Sequence, residues 1–463
     1  MGVYQTVVRY TGSGGLRHAS RFNSELYNES LAKLSEVVER KQNGIILFGK
    51  GPGEGKLLLS DKAATSEALL KLTLRQQITQ FAHVLQTGLF PVLQDELGEL
   101  TPPAKRLVAT LELIPLARFI PSSRGWIGRP SKDRLAIASA FVAKAVYGFS
   151  LTRQLLDALS SDPQLRRICG WKESWQVPHE STFSRAFDEF ARMELPQFVH
   201  ETLIRETQKD RLIGHIARDS TAIEARERYP ETQTPAATHK PAPKAARGRK
   251  KGSGGAHARF KGGKRPYQPQ PDTRLQRQRS MKLPEMLSDL PRLCDLGGKK
   301  DSHGNPHYWR GYKLHWDVAD GQIPISVVLT SASVHDSQVA IPLATMSTQR
   351  VTYFYELMDA AYEAYHIDAQ SRHLGHVPIV DPKAPGGPKS QAKDIPMGKR
   401  KRELSWAEQD RYQERTMVER ANARLKDEFG GRNVRVRGAA KVMAHLMFGV
   451  VALTADQLLK LVM

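Results

Sequence analysis

Residues 211–223, RLIGHIARDSTAI, mark the point at which the periodicity of the chain changes from helical to strand-like. The run predicts a strand that ends near Asp219, which places an acidic side chain where the strand gives way to a loop. C-terminal of this point the patterns predict strands alternating with helices. N-terminal of it they are helical. This one stretch therefore separates two structural regions.

Four further strands and three helices are predicted after the first strand. Residues 308–320 (YWRGYKLHWDVAD) and 323–334 (IPISVVLTSASV) predict two strands joined at the turn DGQ. The remaining elements are, in order, a helix at 337–349, a strand within 351–362 that leads into a helix at 361–375, a strand at 376–383 and a long helix at 411–431. This order predicts an α/β fold, a mixed sheet with helices on its faces. We assign residues 206–463 to this domain.

Residues 61–205 are predicted to form an all-helical region that binds DNA, and residues 1–60 an N-terminal extension of unknown role. Short helices in GFSLTRQLLDAL and VPHESTFSRAFDEF resemble helix-turn-helix elements. In the second, four residues could face DNA from a recognition helix: Ser181, Thr182, Ser184 and Arg185. An ordinary three-helix packing unit explains the same pattern equally well, and both interpretations stay open.

The charge balance points to a polyanionic partner. The 463 residues include 69 Lys or Arg against 48 Asp or Glu, which gives a net charge of +21 and a pI near 9.9. Such a field favours nucleic acid or an acidic membrane surface. The most apolar C-terminal stretch, VMAHLMFGVVALTADQLLKLVM, contains charged residues and predicts a buried amphipathic helix rather than a membrane span. Two cysteines exclude a disulfide framework and suit a reducing cytosol.

A strongly basic insert interrupts the predicted α/β domain. Residues 229–280 contain 13 Lys or Arg against two acids and are rich in Pro and Gly. Such a composition buries too little apolar area to form a core. We expect a flexible arm that contacts DNA phosphates.

The helix at 411–431, RYQERTMVERANARLKDEFGG, has two distinct faces when residues are spaced about 100° apart. One narrow stripe carries the long polar residues Tyr412, Arg415, Glu419 and Lys426. A separate face carries the apolar residues Val418, Ala421, Leu425 and Phe429. The stripe alone is also compatible with a solvated surface that carries favourable charge pairs.

Three acidic residues could meet beside the predicted sheet. Asp219 and Asp359 each stand at the end of a strand, and the two strands would be neighbours if the fourth pairs beside the first. Glu419 projects from the helix that packs on the sheet. Three adjacent carboxylates repel unless cations neutralise them, and two magnesium ions would do so. In a basic protein this set points to phosphodiester chemistry on nucleic acid.

The spacing Tyr412-x2-Arg415-x3-Glu419-x6-Lys426 resembles the Tyr-Arg-Glu-Lys signature of bacterial insertion-sequence transposases of the DDE, RNase H-like class. The segments IARDSTAI and MDAAY are similar to the segments that carry the first and second catalytic Asp in this family, and GYKLHW and SVHDSQ are similar to other recurrent segments. The resemblance covers about residues 100–463.

The resemblance implies a function and a site. Asp219, Asp359 and Glu419 would bind two Mg²⁺ ions, for which Mn²⁺ can substitute, and the 3′ hydroxyl freed by cleavage at the element's end would attack target DNA. Residues matching Tyr412, Arg415 and Lys426 contact phosphates near the cleaved end, and Lys313 is expected on a strand near DNA. The partners would be the inverted-repeat ends and target DNA, bound by a homodimer in the bacterial cytoplasm at the nucleoid, without a membrane.

The sequence also departs from the family pattern and leaves alternatives. Sixty residues separate Asp359 from Glu419, too few for the extra β-rich domain of some relatives, and the insert at 229–280 is not part of the pattern. Asp336 competes with Asp359 as the second acid, although it could instead cap the helix that follows it. Asp317 and Glu356 are expected to be surface acids. A nuclease that cuts without joining, or an inactive DNA-binding relic, are the alternative functions.

Overall fold

The computed structural model describes residues 74–120, 132–208, 211–227, 273–300, 305–381 and 404–461. The predicted N-terminal extension and most of the basic insert lie outside these residues. The last part of the insert, however, is described and was wrongly assigned to a flexible arm. Residues Arg274–Gln278 form a helix whose first turn is capped by Thr273, and Arg274 pairs with Asp289 at 2.8 Å. The local cap and this ion pair order the segment despite its basic composition.

The N-terminal described region is helical, as the periodicity predicted. Its α-helices are α1 (Leu74–Val84), α2 (Phe90–Leu97), α3 (Pro102–Leu113), α4 (Arg134–Val146), α5 (Thr152–Ser161), α6 (Pro163–Cys169), α7 (Glu180–Arg192) and α8 (Leu195–Gln208). A π-helical turn, Leu85–Leu89, joins α1 to α2, and short 3₁₀ turns span Leu116–Phe119 and Ser174–Gln176. Helix α4 is buried along nearly its whole length and forms the centre of this region.

Acidic side chains cap the first turn of two of these helices. The carboxylate of Asp133 accepts from the backbone N–H groups of Leu135 and Ala136 at the start of α4. Asp162 does the same at the start of α6, which then ends at Gly170 in a left-handed conformation. Each cap satisfies N–H groups that would otherwise lack a partner in the first turn.

The C-terminal region contains a six-stranded mixed sheet among the described residues. Its strands are β1 (Leu212–Glu224), β2 (Asp295–Lys300), β3 (Pro306–Ala319), β4 (Ile323–Ser331), β5 (Thr352–Met358) and β6 (Val377–Val380). The order is β2-β3-β1-β5-β6, and β4 also pairs with β3. Strands β1, β3 and β4 are antiparallel neighbours, whereas β1, β5 and β6 run parallel. The predicted pairing of the first strand with the strand that precedes Asp359 is therefore present.

Helices cover this sheet. They are α9 (Arg274–Gln278), α10 (Leu283–Ser288), α11 (Ser337–Thr348), α12 (Tyr365–His373), α13 (Trp406–Gln413), α14 (Thr416–Asp427) and α15 (Ala439–Lys460), and a 3₁₀ turn spans Ala360–Tyr362. The buried face predicted for residues 411–431 is confirmed, because Val418, Ala421, Leu425 and Phe429 are all at most 2% exposed.

Three local predictions were wrong. Strand β1 does not end near Asp219 but continues to Glu224, because its second half pairs with β3 as far as Gly311. Strand β2 was not predicted, since its sequence DLGGKK contains no β-branched residue. The long helix at 411–431 is two helices, α13 and α14, joined at Arg415 by i→i+3 hydrogen bonds such as Val418 N–H to Arg415 C=O.

The C-terminal helix α15 joins the two regions. It packs against α3, α4, α7 and α8 on one side and against β4 on the other. Among the described residues, α15 is the one helix that is long and apolar enough to cross a membrane. However, 89% of its most apolar 18-residue segment is buried inside the protein. The prediction of a buried helix is confirmed. The prediction of an amphipathic one is wrong, because residues 446–459 are buried on every side.

Candidate active site

Two aspartates lie side by side at the carboxyl-terminal end of strand β5. Ala217 and Arg218 of β1 pair in parallel with Leu357 and Met358 of β5, so the next residue of each chain segment is an aspartate. These residues are Asp219, within β1, and Asp359, directly after β5. Asp359 is fixed by its own turn, because its Oδ1 accepts from the backbone N–H of Ala361 at 2.9 Å. The sheet register therefore creates a paired-carboxylate corner.

The environment of Asp219 favours the protonated carboxyl. Burial raises the pKa of Asp219 to about 6, and the neighbouring Asp359 carboxylate adds to the rise. The Ser220 backbone N–H, Arg415 and Lys299 act in the opposite direction. A buried acid next to a second acid is a place where a cation is needed to keep both groups ionised.

Arg415 supplies positive charge at this corner. Burial lowers the pKa of Arg415, but Tyr412, the two aspartates and Glu419 together outweigh burial and raise it. Its guanidinium donates to Glu419 Oε1 at 2.6 Å and lies 5.9 Å from the centre of the Tyr412 ring. Arg415 is thus the cation shared by the candidate catalytic acids.

Glu419 lies on helix α14, which packs against β1 and β3, and its carboxylate is turned towards Arg415. Its side chain is 54% exposed, and no group of three or more His, Cys, Asp or Glu residues within the described part of the chain is placed to hold a metal ion. The structure brings Asp219 and Asp359 together and leaves Glu419 in an ion pair. The three-acid ligand set stays a prediction.

Asn422 contacts the corner and was missed by the sequence reasoning. Its Nδ2 donates to Asp219 Oδ2 at 3.2 Å. A signal was present, because Asn422 falls within about 20° of Arg415 when helical positions are spaced 100° apart. Asn422 holds the Asp219 carboxylate against helix α14.

Two lysines flank the same corner. Lys426 lies on α14, and burial followed by Arg432 and Lys299 lowers its pKa, while Glu224 acts against the shift. Lys299 also acts on Asp219. Lys299 belongs to strand β2, and sequence reasoning missed it because β2 has no strand pattern. These lysines form a positive edge beside the two aspartates.

Asp336 and Lys313 form an ion pair on the other side of β1. Lys313 Nζ donates to Asp336 Oδ1 at 3.0 Å and to the Val334 carbonyl at 2.9 Å. Burial raises the pKa of Asp336, but His315, Lys313 and the Ser220 hydroxyl lower it overall. Asp336 occupies the first cap position of α11 without making a cap hydrogen bond, so the expectation that it caps this helix was wrong. Lys313, expected near DNA, is mostly buried in this pair.

Tyr362 lies behind the carboxylates. Its side chain is 1% exposed, and its hydroxyl has no hydrogen-bond partner within the protein. Burial raises its pKa well above the usual value, and Asp336, Asp219 and Asp359 add to the effect. The residue belongs to the motif MDAAY, and its ring packs in an apolar cluster with Ala340, Ile341 and Met358.

A second cluster of charges lies one residue before the aspartates. Arg218 is 0% exposed and binds Asp317 through two hydrogen bonds of 2.8 and 2.9 Å, and Glu356 through contacts of 3.3 and 3.4 Å. Ser347 of α11 donates to Asp317 at 2.7 Å, and Ser371 of α12 donates to Glu356 at 2.5 Å. The expectation that Asp317 and Glu356 are surface acids was wrong, because both are fully buried.

Arg185 is exposed on helix α7. Its Nε donates to the Ser181 carbonyl of the same helix at 3.2 Å, and Ser181 and Ser184 are exposed beside it. The opposite face buries Phe183, Phe187 and Phe190, which are all three aromatic residues of the helix. This geometry suits both the recognition-helix and the packing-unit interpretation.

The fold and this corner define a class. A mixed open sheet flanked by helices, with an N-terminal helical region, is the architecture of an RNase H-like transposase. Residues 273–455 match the family model described as Transposase DDE domain, and residues 95–189 match the one described as Transposase domain (DUF772). The chain belongs to the DDE transposases of insertion sequences. No curated protein and no solved structure matches it.

The two matches cover different parts of the site. Asp359 and Glu419 lie inside the DDE-domain match, whereas Asp219 precedes it. Arg185 lies inside the helical match. The assignment of Asp219 therefore depends on the strand register rather than on the family comparison.

Proposed function

We propose that this transposase cuts DNA at the ends of its element and joins the resulting 3′ hydroxyl to target DNA. The observation that carries the proposal is the side-by-side position of Asp219 and Asp359 with Arg415 and Glu419 beside them. The net charge of +21 and the two transposase-domain matches support DNA as the substrate. This work would take place in the cytoplasm, at the nucleoid.

The oxygen donors at this corner fit a hard divalent cation. Asp219 and Asp359 are adjacent acids in a site that raises the pKa of Asp219 to about 6, so a cation there relieves a real electrostatic conflict. Asp219 and Asp359 would hold the ion with Glu419 as the third carboxylate, and we propose Mg²⁺, in two ions, with Mn²⁺ as a substitute. When bound, such ions activate an attacking oxygen and stabilise a leaving oxygen in phosphoryl displacement.

The protein's own cations would position the DNA. Arg415 can turn its two-pronged guanidinium to a phosphate, while Lys426 offers a point charge at the edge of the same corner. The centre of the Tyr412 ring lies 5.9 Å from the guanidinium and attracts it weakly. The residues of the Tyr-Arg-Glu-Lys stripe would thereby hold a backbone phosphate against the two aspartates and exchange the Arg415–Glu419 ion pair for DNA contacts.

Two DNA ends must be brought together for such a reaction, which favours a homodimer on DNA. For the test, the DNA that flanks the gene is inspected for inverted repeats, and the repeats found there are used as the element ends. The full chain is incubated with Mg²⁺, both ends and a target plasmid, and cleaved and joined products are separated on a gel. Joined products support the proposal. Cleaved but never joined products would instead favour a nuclease on the same fold. The absence of both products would favour an inactive DNA-binding relic.

A further inference from the structure

We infer that a groove beside the active site binds one unpaired strand of DNA and stacks a base on Tyr308. The groove has a volume of about 1060 Å³ and lies where the end of β1 meets the β2–β3 hairpin and the segment before α15. Its lining residues include Glu224, Arg226, Leu296, Tyr308, Arg310 and Arg437. None of these residues belongs to the corner that holds Asp219 and Asp359.

The groove presents an aromatic ring to solvent. Tyr308 is 63% exposed, and Leu296 beside it is 52% exposed. The Tyr308 ring is fixed against the backbone of Gly298, where a Cβ atom would come within 3.0 Å of the ring. Exposed aromatic rings held on a sheet are platforms on which unpaired bases stack, and they accept any base.

The groove is also positively charged. Arg226, Arg310 and Arg437 are exposed along it, and Arg435 is exposed two residues before Arg437. One of the two lining acids is already used by the fold, because Glu227 accepts from the Tyr312 hydroxyl at 2.9 Å and from the Gly438 N–H at 2.7 Å. The three lining arginines outnumber the two lining acids, which complements a phosphate backbone, and the exposed Tyr308 ring suits a base.

The position of the groove relative to the active site selects a strand of DNA as its occupant. Strand β1 leads from Asp219 to Glu224, which is about 17 Å at 3.4 Å per residue. That distance corresponds to roughly five base-pair steps along the axis of duplex DNA. Lys426 and Lys299 provide positive charge between the two places. A strand leaving the cut site would follow this edge and reach Tyr308 once it is unpaired.

The inference rests on the proposed function only for the choice of DNA. It is tested on the full chain with a 20-nucleotide oligo(dT) that carries one 2-aminopurine, and with a blunt duplex of the same length. We expect 2-aminopurine fluorescence to fall on binding, because stacking on an aromatic ring quenches it. Tyr308→Ala should abolish this quenching and weaken oligonucleotide binding about fivefold or more, while Tyr308→Phe should retain both.

Matched variants separate stacking from general effects. Tyr365→Ala removes another exposed tyrosine, on α12, and should behave as wild type. Arg437→Ala should lower the slope of log affinity against log salt for the oligonucleotide by about 0.7, as for the loss of one phosphate contact, whereas Arg372→Ala should not. Unchanged quenching and affinity in Tyr308→Ala, or equal losses for single strand and blunt duplex, would overturn the inference.

Cleavage is measured separately so that the two proposals fail independently. If the wild-type chain cuts and joins DNA but Tyr308→Ala binds single strands as wild type does, the proposed function stands and the groove inference fails. If the wild-type chain binds single strands through Tyr308 but never cuts DNA, the groove inference stands and the proposed function fails.

Discussion

Two clusters of one arginine and several acids meet at strand β1, which carries Arg218 of one cluster and, one residue later, Asp219 of the other. The two clusters differ in almost every physical property. The buried cluster consists of Arg218, Asp317 and Glu356, all 0% exposed, with each carboxylate also held by a serine hydroxyl. The open cluster consists of Asp219, Asp359, Arg415 and Glu419. Because neighbouring strand residues point to opposite faces, one step along β1 moves the chain from one cluster to the other.

The buried cluster is closed. The Arg218 guanidinium has contacts on all its nitrogens, to Asp317, to Glu356 and to the sulfur of Met358. It connects β1 with β3 and β5, directly beneath the aspartates. Two carboxylates lie against one guanidinium there, yet the hydroxyls of Tyr353, Ser347 and Ser371 satisfy the remaining oxygens. Nothing is left to bind a substrate.

The open cluster has unused capacity. Asp219 has a raised pKa, Glu419 is half-exposed and Arg415 is shared among the acids. The same residue types therefore form a stable ion-pair cluster in one place, where every charged group has its partner. In the other place they form a candidate reactive site, where burial and neighbouring like charges favour the binding of a cation. Four substitutions test this contrast.

The largest expected effect is on chemistry. Glu419→Ala should reduce DNA cleavage by at least roughly a thousandfold, the upper end of what one electrostatic group contributes, because it removes the third carboxylate. DNA binding should change little. Asp410→Ala, which removes an exposed acid on α13, is the control and should retain cleavage. Cleavage that survives in Glu419→Ala would reject the open cluster as the catalytic one.

The next effect is on stability. Arg218→Ala leaves two buried carboxylates without their cation and should lower the free energy of unfolding by about 3–5 kcal/mol, measured by urea denaturation. The combined variant Arg218→Met, Asp317→Leu and Glu356→Met removes the charges together and should cost much less. A full loss in the combined variant as well would mean that packing, and not charge pairing, makes this cluster essential.

A pH-dependent difference should follow from Asp219. Its folded-state pKa, about 6, lies above the unfolded value of about 3.9, so protonated Asp219 favours the folded state below pH 4 and this contribution is lost as the pH rises through 6. In EDTA, Asp219→Asn should therefore gain about 2–3 kcal/mol of stability relative to wild type between pH 4 and pH 7.5. A constant difference across this range would show that Asp219 does not carry the raised pKa.

The smallest effect concerns the edge of the open cluster. Lys426→Ala should weaken binding to a cleaved element end by about 1 kcal/mol, roughly fivefold, and bind random duplex with less loss. Lys282→Ala serves as the control, because it removes an exposed lysine that precedes β2 in the sequence. Equal losses for both DNAs, measured by fluorescence anisotropy, would remove the assigned role of Lys426.

Much of the fold was predictable because it depends on local pattern. The helices of the N-terminal region and strands β1, β3, β4, β5 and β6 follow from the spacing of their apolar residues. Strand β2 was not predictable, because DLGGKK acquires its strand conformation only by pairing with β3. At Gly297 the absence of a Cβ atom leaves room for the Trp309 ring of β3. The break at Arg415 was also missed, since every residue there keeps right-handed helical dihedrals and no Pro or Gly marks it.

The site was predictable in part for the same reason. Asp219, Asp359 and the residues of the Tyr-Arg-Glu-Lys stripe could be named because each lies at a recognisable place in a strand or helix. Lys299 and Tyr362 could not be assigned a place at the site, because their proximity to the aspartates depends on how β2 and the 3₁₀ turn pack. Asn422 was missed although its helical position, within about 20° of Arg415, gave a signal. Asp317 and Glu356 were misjudged because composition gives no sign that an acid has a buried arginine as partner.

The sequence by itself determined the residue types, the charge of the chain and the local elements, since these depend on neighbours within a few positions. Only the tertiary structure decided which acids became buried partners of Arg218 and which remained open beside Arg415. That choice depends on strand register and on the side of the sheet each residue faces, and a shift of one residue along β1 would have exchanged the two environments.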